Sequence, residues 1–363
     1  MPRRTKIIAT LGPASEPEET LRAMIEAGCD VVRLNLAHGT VGQAIERMRL
    51  VRRLAAETGR VVGILADLPG PKVRLTEFVE GGMVLHEGDT VSVAPGTDRS
   101  GPDGLWVDYP LLIDDVGPGD VLTVGDGGVA LRVTSNDGVS LKATVSGEGL
   151  MQGRPGLHIP SDRLTMGTPT AEDLYFLDAL VEEGVDMIGM SFVRSAHDIR
   201  RIGVEPPPRG PLIVAKIETR AAVENLEGIL EVAGAVMVAR GDLGIECGIE
   251  ELPHLQKSII RSCIASGRPV ITATQMLESM VHAAAPTRAE ITDVANAIFD
   301  GTSAVMLSGE TAVGHDPVEV VATMSPIAAR ADAEFDSEAW PRGTPNLRRP
   351  AATSAESPHT HAI

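Results

Sequence analysis

Short apolar runs alternate along the chain with amphipathic stretches that end in glycine. An apolar run begins soon after each of Gly28, Gly59, Gly184, Gly267 and Gly301. Glycine readily adopts the left-handed conformation that ends many helices. A strand that is apolar at nearly every position is typically covered on both faces. The pattern therefore predicts repeated helix–strand units, a parallel sheet and right-handed crossovers.

Two capping-box patterns support this interpretation by predicting where helices begin. Ser15 precedes Pro17 and Glu18, and Thr287 precedes Glu290. A Ser or Thr at the N-cap with Glu three residues later satisfies two backbone N–H groups at a helix start. We expect helices to begin just after Ser15 and Thr287.

Eight apolar runs have the length of buried strands, and this number suggests how the sheet closes. Eight parallel strands close a TIM-type barrel, whereas open doubly wound sheets usually stop near about six. We therefore predict an α/β fold with a TIM-type (β/α)8 barrel, and we keep the open sheet as the alternative. The runs are Ile7–Leu11, Val31–Leu36, Val62–Ala66, Met187–Phe192, Leu212–Ile217, Ala235–Ala239, Pro269–Thr274 and Ala304–Leu307.

A long stretch without helical periodicity separates the third and fourth of these strands. Residues 71–159 contain short Val- and Leu-rich runs broken by turn signals such as Asp126-Gly127 and Asp137-Gly138, which are typical of hairpins. We predict that residues 71–159 form a small all-β domain inserted between barrel residues 1–70 and 160–330. Residues 331–363 are rich in Pro, Ala and Ser and are predicted to be a disordered tail.

Composition excludes several classes of function. The net charge is -18, with 32 Lys plus Arg against 50 Asp plus Glu, which argues against broad binding of nucleic acid or anionic membranes. The chain has no apolar run of about 18 residues, so no membrane span is expected. Cys29, Cys247 and Cys263 are far apart and odd in number, which favours buried thiols in a reducing cytoplasm over disulfides or zinc.

Candidate chemistry lies at the predicted strand ends, where barrel enzymes carry their active sites. Lys216 and Glu218 are two residues apart and so project together. Glu218 and Asp242 offer the oxygen ligands that suit Mg²⁺ or Mn²⁺, whereas Lys216 and Arg33 suit phosphate and a developing oxyanion. Structural salt bridges are the alternative interpretation. The strand-end groups are Arg33 and Asn35 with His38, Lys216 with Glu218, Arg240 to Gly244, and Thr272 to Gln275.

Nine sequence blocks follow one another in a fixed order between about residues 5 and 330. They are TKIIATLGPAS, VVRLNLAHG, DLPGPKVR, SFVRSAHD, VAKIE, VARGDLGIE, ATQMLESM, PTRAEITDVANAIFDG and MLSGETAVG. These blocks resemble the consecutive motifs of the pyruvate kinase family. The resemblance implies a barrel with an inserted β-barrel lid and Mg²⁺-dependent phosphoryl transfer from phosphoenolpyruvate to ADP. The products are pyruvate and ATP, and the reaction is the last step of glycolysis.

The same resemblance implies a role for each matching residue. Glu218 and Asp242 correspond to the Mg²⁺ ligands, Lys216 to the catalytic lysine, and Arg33 to a ligand of the phosphoryl group. The backbone amides of Gly241 and Asp242 hold the substrate carboxylate. Thr274 lines that pocket and helps to relay a proton. On the nucleotide side the resemblance places Pro13, Asn35, His38 and Arg74.

Three positions depart from the motif that binds an activating K⁺ in many family members. Ala37, Leu68 and Lys72 stand where those members have Ser, Thr and Glu. A branch of the family with Leu and Lys here works without K⁺. We predict that the Lys72 ammonium replaces the monovalent ion, with Asn35 and Asp67 as its partners.

Two further departures leave alternatives open. The end of the lid carries Arg154, Pro155 and His158 in place of the residues that are usual in the family. The sequence therefore does not decide which lid residues contact the nucleotide phosphates. The family also carries a C-terminal domain that the sequence does not match, from which we expect no sugar-phosphate control and a homodimer through the barrel, or a monomer. The alternatives are an enzyme acting on another enol phosphate or carboxylate, and a non-catalytic metabolite-binding paralogue.

Overall fold

A computed structural model describes residues 3–125 and 127–335. These residues form sixteen strands, numbered in chain order. They are β1 (Lys6–Leu11), β2 (Val31–Asn35), β3 (Gly63–Asp67), β4 (Met83–Leu85), β5 (Thr90–Pro95), β6 (Leu105–Val107), β7 (Val121–Val124), β8 (Val129–Asn136), β9 (Leu141–Ser146), β10 (Gly149–Met151), β11 (Leu157–His158), β12 (Met187–Met190), β13 (Leu212–Ile217), β14 (Ala235–Ala239), β15 (Val270–Ala273) and β16 (Ala304–Leu307).

Eight of the strands close into a parallel barrel, which confirms the predicted fold class. Their order around the barrel is β1, β16, β15, β14, β13, β12, β3 and β2. Ile8, Leu65, Met237 and Met306 belong to the apolar cluster that fills the barrel. Alternate residues of the same strands pack outward under the helices, which is why these strands are apolar at nearly every position.

Helices follow most barrel strands and cover the outside of the barrel. They are α1 (Glu18–Ala27), α2 (Val41–Thr58), α4 (Ala171–Glu182), α5 (Ala196–Arg200), α6 (Arg220–Glu224), α7 (Leu226–Val232), α8 (Arg240–Cys247), α9 (Leu252–Ala265), α10 (Arg288–Phe299), α11 (Gly309–Ala312) and α12 (Pro317–Glu334), with a 3-10 turn at Glu278–Val281; α3 (Leu112–Asp115) lies outside the barrel, between β6 and β7. In the described residues no helix is both long and apolar enough to cross a membrane.

The helix-end predictions had mixed outcomes. Gly59 ends α2 in the left-handed conformation, with φ 64° and ψ 24°. Thr287 caps α10 in a full capping box with Glu290, as predicted. The prediction for Ser15 is wrong, because the N-cap of α1 is Pro17. Ser15 is buried instead, and its hydroxyl accepts a hydrogen bond from the Gly12 N–H, which stabilises the turn after β1.

The region between β3 and β12, which we call the β insert (residues 71–159), has its own apolar core. Its main sheet has the order β11-β7-β8-β9-β5-β6, and β4 pairs with β10. Arg74 bridges to Gly156 beside one edge strand and Leu75 bridges to Val107 in the other. One short segment therefore contacts both edges, and the sheet is nearly closed.

The start of the predicted tail continues the last helix, since α12 runs to Glu334. The rest of the tail prediction, including His359 and His361, falls on residues 336–363 and lies outside the described residues, as does Asp126 of the predicted hairpin turn. Strands β7 and β8, on either side of that turn, pair antiparallel.

Candidate active site

Polar side chains from several barrel strands converge where those strands end. Lys216 and Glu218 lie at the end of β13, Asp67 ends β3, and Arg33 lies in β2. Together with Asp242, at the start of α8, they border a cavity of about 210 Å³ between the barrel and the β insert. Its lining consists of Arg33, Asn35, Ala37, His38, Asp67, Leu68, Pro69, Lys72, Arg74, Ser191, Phe192, Lys216, Glu218 and Asp242.

Lys216 is the centre of the polar network. Its ammonium nitrogen lies 3.1 Å from Asp67 Oδ1 and 2.9 Å from Glu218 Oε1, and it donates a hydrogen bond of 2.7 Å to the Ser191 hydroxyl. The residue is only 8% exposed. Burial by itself lowers the pKa of Lys216, but the charges of Asp67 and Glu218 outweigh burial and raise it. The ammonium is therefore a permanent positive charge beside the cavity.

Asp67 joins this lysine to the arginine. Arg33 donates from Nε to Asp67 Oδ2 at 2.7 Å, and its other end donates to the Thr10 hydroxyl at 3.1 Å. Burial raises the pKa of Asp67, but the neighbouring Lys216 and Arg33 overcome burial and hold the pKa below its ordinary value. Asp67 is therefore an ionised carboxylate that aligns two cations along one side of the cavity.

Glu218 and Asp242 supply two carboxylates to the same cavity. Glu218 accepts a hydrogen bond from the Phe192 N–H at 2.7 Å and is 1% exposed. Burial raises the pKa of Glu218, and although Lys216 opposes the rise, the charges of Asp242 and Asp67 add to it. The negative charge at this point is incompletely compensated by protein cations.

This donor set fits a divalent cation that keeps other ligands. Among the described residues no group of three or more His, Cys, Asp or Glu side chains could hold a metal ion alone. Mg²⁺ is commonly held by one or two carboxylates and completes its octahedron with waters and substrate oxygens. The two carboxylates and their surplus charge fit that mode of binding.

The amide of Gly241 and the hydroxyl of Thr274 meet at the next strand ends. The Gly241 N–H donates to Thr274 Oγ1 at 2.9 Å. Thr274 has φ of 71° and the following Gln275 has φ of 53°, a conformation that costs energy in residues other than glycine. Phe192, whose N–H binds Glu218, has φ of 54°. Strained backbone therefore occurs at two of the strand ends that carry polar groups.

The residues expected on the nucleotide side are distributed unevenly. Asn35, His38 and Arg74 line the cavity that contains Lys216. Arg74 also borders an adjoining cavity of about 190 Å³ that extends under the β insert. Pro13 follows β1 in an exposed turn and is not among the residues that line either cavity. The structure thus brings three of the four residues together.

Lys72 borders both cavities, but its partner differs from the predicted ones. Its ammonium nitrogen lies 3.5 Å from Asp242 Oδ1, whereas Asp67 pairs with Arg33 and Lys216. Asn35 Oδ1 accepts a hydrogen bond from the Ala37 N–H at 3.2 Å. A fixed monovalent charge therefore stands beside the carboxylate expected to bind the divalent ion.

Comparison with known proteins places this geometry in a family. The family model described as "Pyruvate kinase, barrel domain" matches residues 2–321. The chain belongs to the pyruvate kinase family. It is 43% identical to the pyruvate kinase of Geobacillus stearothermophilus over 337 residues, which is 92% of this chain and 57% of that protein. It is 42% identical over 334 residues to the pyruvate kinase of Mycobacterium tuberculosis, covering 90% and 70% of the two chains. The chain thus spans less than two thirds of the length of the first of these relatives.

In this barrel of the pyruvate kinase family, the end of the β insert that departs from the family motif contacts a carboxylate of α8, at the carboxyl end of the barrel. His158 Nε2 lies 2.8 Å from Glu246 Oε2, and both side chains are largely buried. The Ser161 hydroxyl donates to the other oxygen of Glu246. Arg154 pairs with Asp108, so this contact stays inside the β insert. α8 therefore carries Asp242 at one end and holds the returning insert strand at the other.

Sequence reasoning missed several residues that shape the site. Ser191 binds Lys216 and also donates to the Leu68 carbonyl at 2.7 Å, and Thr10 binds Arg33. Ser191 comes just after β12, at the same end of the barrel as Lys216. Applying the strand-end rule to every strand would have found Ser191, but no sequence signal marks Thr10, which lies within β1.

Proposed function

We propose that this protein is a pyruvate kinase, which transfers the phosphoryl group of phosphoenolpyruvate to ADP and yields pyruvate and ATP. The single observation that carries the proposal is the contact of the buried Lys216 ammonium with Glu218 and Asp67 beside Arg33 and Asp242. A phosphate ester with a neighbouring carboxylate matches this mixture of fixed cations and metal-type carboxylates. In this role the protein catalyses the last step of glycolysis.

Lys216 and Arg33 bind the transferring group in this proposal. Both are aligned by Asp67, so their charges point into the cavity without reorganisation when the reaction occurs. Phosphoryl transfer depends mainly on positioning and on charge stabilisation. Lys216 stabilises the oxygen that becomes the enolate, and Arg33 stabilises the phosphoryl oxygens.

Glu218 and Asp242 would hold the divalent ion, Mg²⁺ or Mn²⁺, which supplies Lewis-acid polarisation of substrate oxygens when bound. The raised pKa of Glu218, caused by burial and by Asp242 and Asp67, supports a cation here. In the proposed reaction, Glu218 is also kept in place by the Phe192 N–H.

The carboxylate of the substrate binds to the amides at the start of α8. The Gly241 N–H faces the Thr274 hydroxyl in the structure. Thr274 is therefore within reach of a substrate held at this amide, where its hydroxyl can help to relay the proton to the enolate carbon. Asn35, His38 and Arg74, with Pro13, form the nucleotide side, and the β insert closes over it.

Lys72 replaces the activating K⁺ in this proposal. Its contact with Asp242 supports a fixed positive charge near the phosphoryl and nucleotide sites. The proposal extends to a homodimer formed through the barrel, which measurement of the mass in solution tests directly.

A coupled assay for pyruvate, with phosphoenolpyruvate, ADP and Mg²⁺, tests the proposed function. We expect turnover by the wild type and a loss of at least about 100-fold in Lys216→Met, because the developing charge loses its main stabilising group. Lys257→Met is the matched control, since Lys257 pairs with Asp300 on the outer helices and its loss leaves the cavity intact. Turnover that survives in Lys216→Met contradicts the proposed roles. Nucleotide binding without any turnover in the wild type favours the non-catalytic paralogue.

A further inference from the structure

We propose that Glu310 is a positioning residue that holds Thr274 in its strained conformation for the reaction. The inference rests on the proposed function and concerns a residue outside the cavity. Glu310 lies in the short helix α11, next to β16. It is 0% exposed, and nothing in the sequence analysis gave it a role.

Glu310 binds the backbone just after Thr274. Its Oε1 accepts hydrogen bonds from the Met276 N–H at 3.1 Å and the Leu277 N–H at 3.0 Å. Its Oε2 accepts a hydrogen bond of 2.6 Å from the Ser308 N–H. One buried carboxylate thus ties the loop after β15 to the loop after β16.

Arg240 holds the same loop by its carbonyl groups. Its guanidinium donates to the Thr274 carbonyl at 2.6 Å and to the Ala273 carbonyl at 3.1 Å. Asp293, on α10, accepts from the same side chain at 2.7 Å. The loop is therefore held by an arginine at its carbonyls and by a carboxylate at the N–H groups that follow.

These contacts explain how an unfavourable backbone persists. Thr274 and Gln275 both have positive φ, and such residues remain strained only where the surroundings over-determine them. The strain aims the Thr274 hydroxyl at the Gly241 N–H. If the Glu310 contacts are lost, we expect the loop to relax and the hydroxyl to leave its position.

Glu310→Gln is the informative variant because it keeps the shape of the side chain. A carboxylate is acceptor-only, whereas an amide has one oxygen and one NH₂ group. In Gln, either the Met276 and Leu277 N–H groups or the Ser308 N–H then face a donor. Asp332→Asn is the matched control, since Asp332 accepts from the Arg4 N–H, the Thr5 N–H and the Thr5 hydroxyl at the opposite end of the barrel.

The first measurement does not depend on activity. Hydrogen exchange of the Met276 and Leu277 amides should be slow in the wild type and in Asp332→Asn, and at least about 10-fold faster in Glu310→Gln. In Glu310→Gln the faster exchange should be confined to this loop, and the barrel strands should keep the protection that they have in the wild type. Unchanged protection of Met276 and Leu277 in Glu310→Gln overturns the proposal, whether or not the protein has pyruvate kinase activity.

The second measurement is a double-mutant cycle on turnover with Thr274→Val. We expect Glu310→Gln to lower kcat by about 10- to 100-fold, with a much smaller change in KM for phosphoenolpyruvate, because misplacement of a reacting group by about 1 Å has effects of up to this size. Adding Glu310→Gln to Thr274→Val should lower kcat by less than about 2-fold more, since the residue acts through Thr274. Independent, multiplicative losses overturn the proposal. Absence of turnover in the wild type instead refutes the proposed function and leaves the exchange result to decide the role of Glu310.

Discussion

Both ends of the barrel contain carboxylates that are partly or fully buried, but these carboxylates are used differently. At the amino ends of the strands, Asp332 accepts two backbone N–H groups and the Thr5 hydroxyl, and Asp30 pairs with Arg3 while accepting the Ile7 N–H. Each of these charges is met by local donors. The comparison shows what a structural carboxylate looks like in this fold.

At the carboxyl ends, charges are shared and incompletely compensated. The Lys216 ammonium lies between Asp67 and Glu218, and the pKa of Glu218 is raised by burial and by neighbouring carboxylates. In the described residues, positive φ in residues other than glycine occurs only at Phe192, Thr274 and Gln275, just after strands of this end. Strained backbone of this kind costs about 1–3 kcal/mol per residue. Unrelieved charge and strain together distinguish a site from a structural ion pair.

The sharpest test of this contrast is Glu218→Gln, which should separate catalysis from stability. We expect turnover to fall by about 100- to 1,000-fold and Mn²⁺ binding, measured by calorimetry, to weaken. The free energy of unfolding should fall by less than about 1 kcal/mol, because the Gln side chain can still accept from the Phe192 N–H and Asp67 still pairs with Lys216. A loss of stability of more than about 1 kcal/mol contradicts the argument. Glu290→Gln, in the capping box of α10, is the control for turnover.

Lys72→Met tests whether a fixed charge replaces K⁺. With tetramethylammonium as the only monovalent cation, we expect turnover to be unaffected in the wild type and about 10-fold lower in Lys72→Met. Added K⁺ should restore part of the activity of the variant. The control is Lys142→Met on the exposed face of the β insert. A wild type that stops when K⁺ is withdrawn refutes the hypothesis.

Asp332→Asn should show the opposite pattern to Glu218→Gln. Its three hydrogen bonds to the two residues just before β1 are lost or weakened, so the free energy of unfolding should fall by about 1–3 kcal/mol. Turnover per folded molecule should stay unchanged. Denaturant unfolding and steady-state kinetics check the two halves of this prediction. A large loss of turnover would mean that the amino end also contributes to the site.

The smallest expected effect concerns Glu246, which joins α8 to the returning strand of the β insert. Burial raises the pKa of Glu246, but hydrogen bonds from His158 and Ser161 lower it below its ordinary value of 4.5. A lowered pKa contributes stability that is present above the unfolded-state pKa and is lost as the pH falls through the folded-state pKa.

Unfolding measured between neutral pH and pH values below 4.5 therefore tests the Glu246 contact. Over this range the free energy of unfolding of the wild type should fall by about 1 kcal/mol more than that of Glu246→Gln. Equal acid dependence in the two proteins contradicts a stabilising role of the ionised carboxylate.

Local sequence patterns predicted the barrel because each strand and each helix can be predicted from residues that are close together in the sequence. The strand predicted at Met187–Phe192 ends at Met190, since Phe192 takes a left-handed conformation to bind Glu218. Lys216 and Glu218 do meet, as their two-residue spacing predicts. Ser15 misled the helix-start prediction, because its hydroxyl bonds within the turn before α1.

The sequence by itself determined the eight strands, the β insert and the set of residue types at the strand ends, because alternation, glycine positions and side-chain spacing act over a few neighbours. Only the tertiary structure decided which of these side chains contact one another. Asp67 pairs with Lys216, which lies 149 positions further along the chain, and Thr10 bonds to Thr311, which lies 301 positions further along. Separations of this size leave no local sequence pattern. Lys72 pairs with Asp242 and Glu310 holds the loop of Thr274 because barrel closure brings distant strand ends together. Charge compensation and backbone strain are properties of that assembled end.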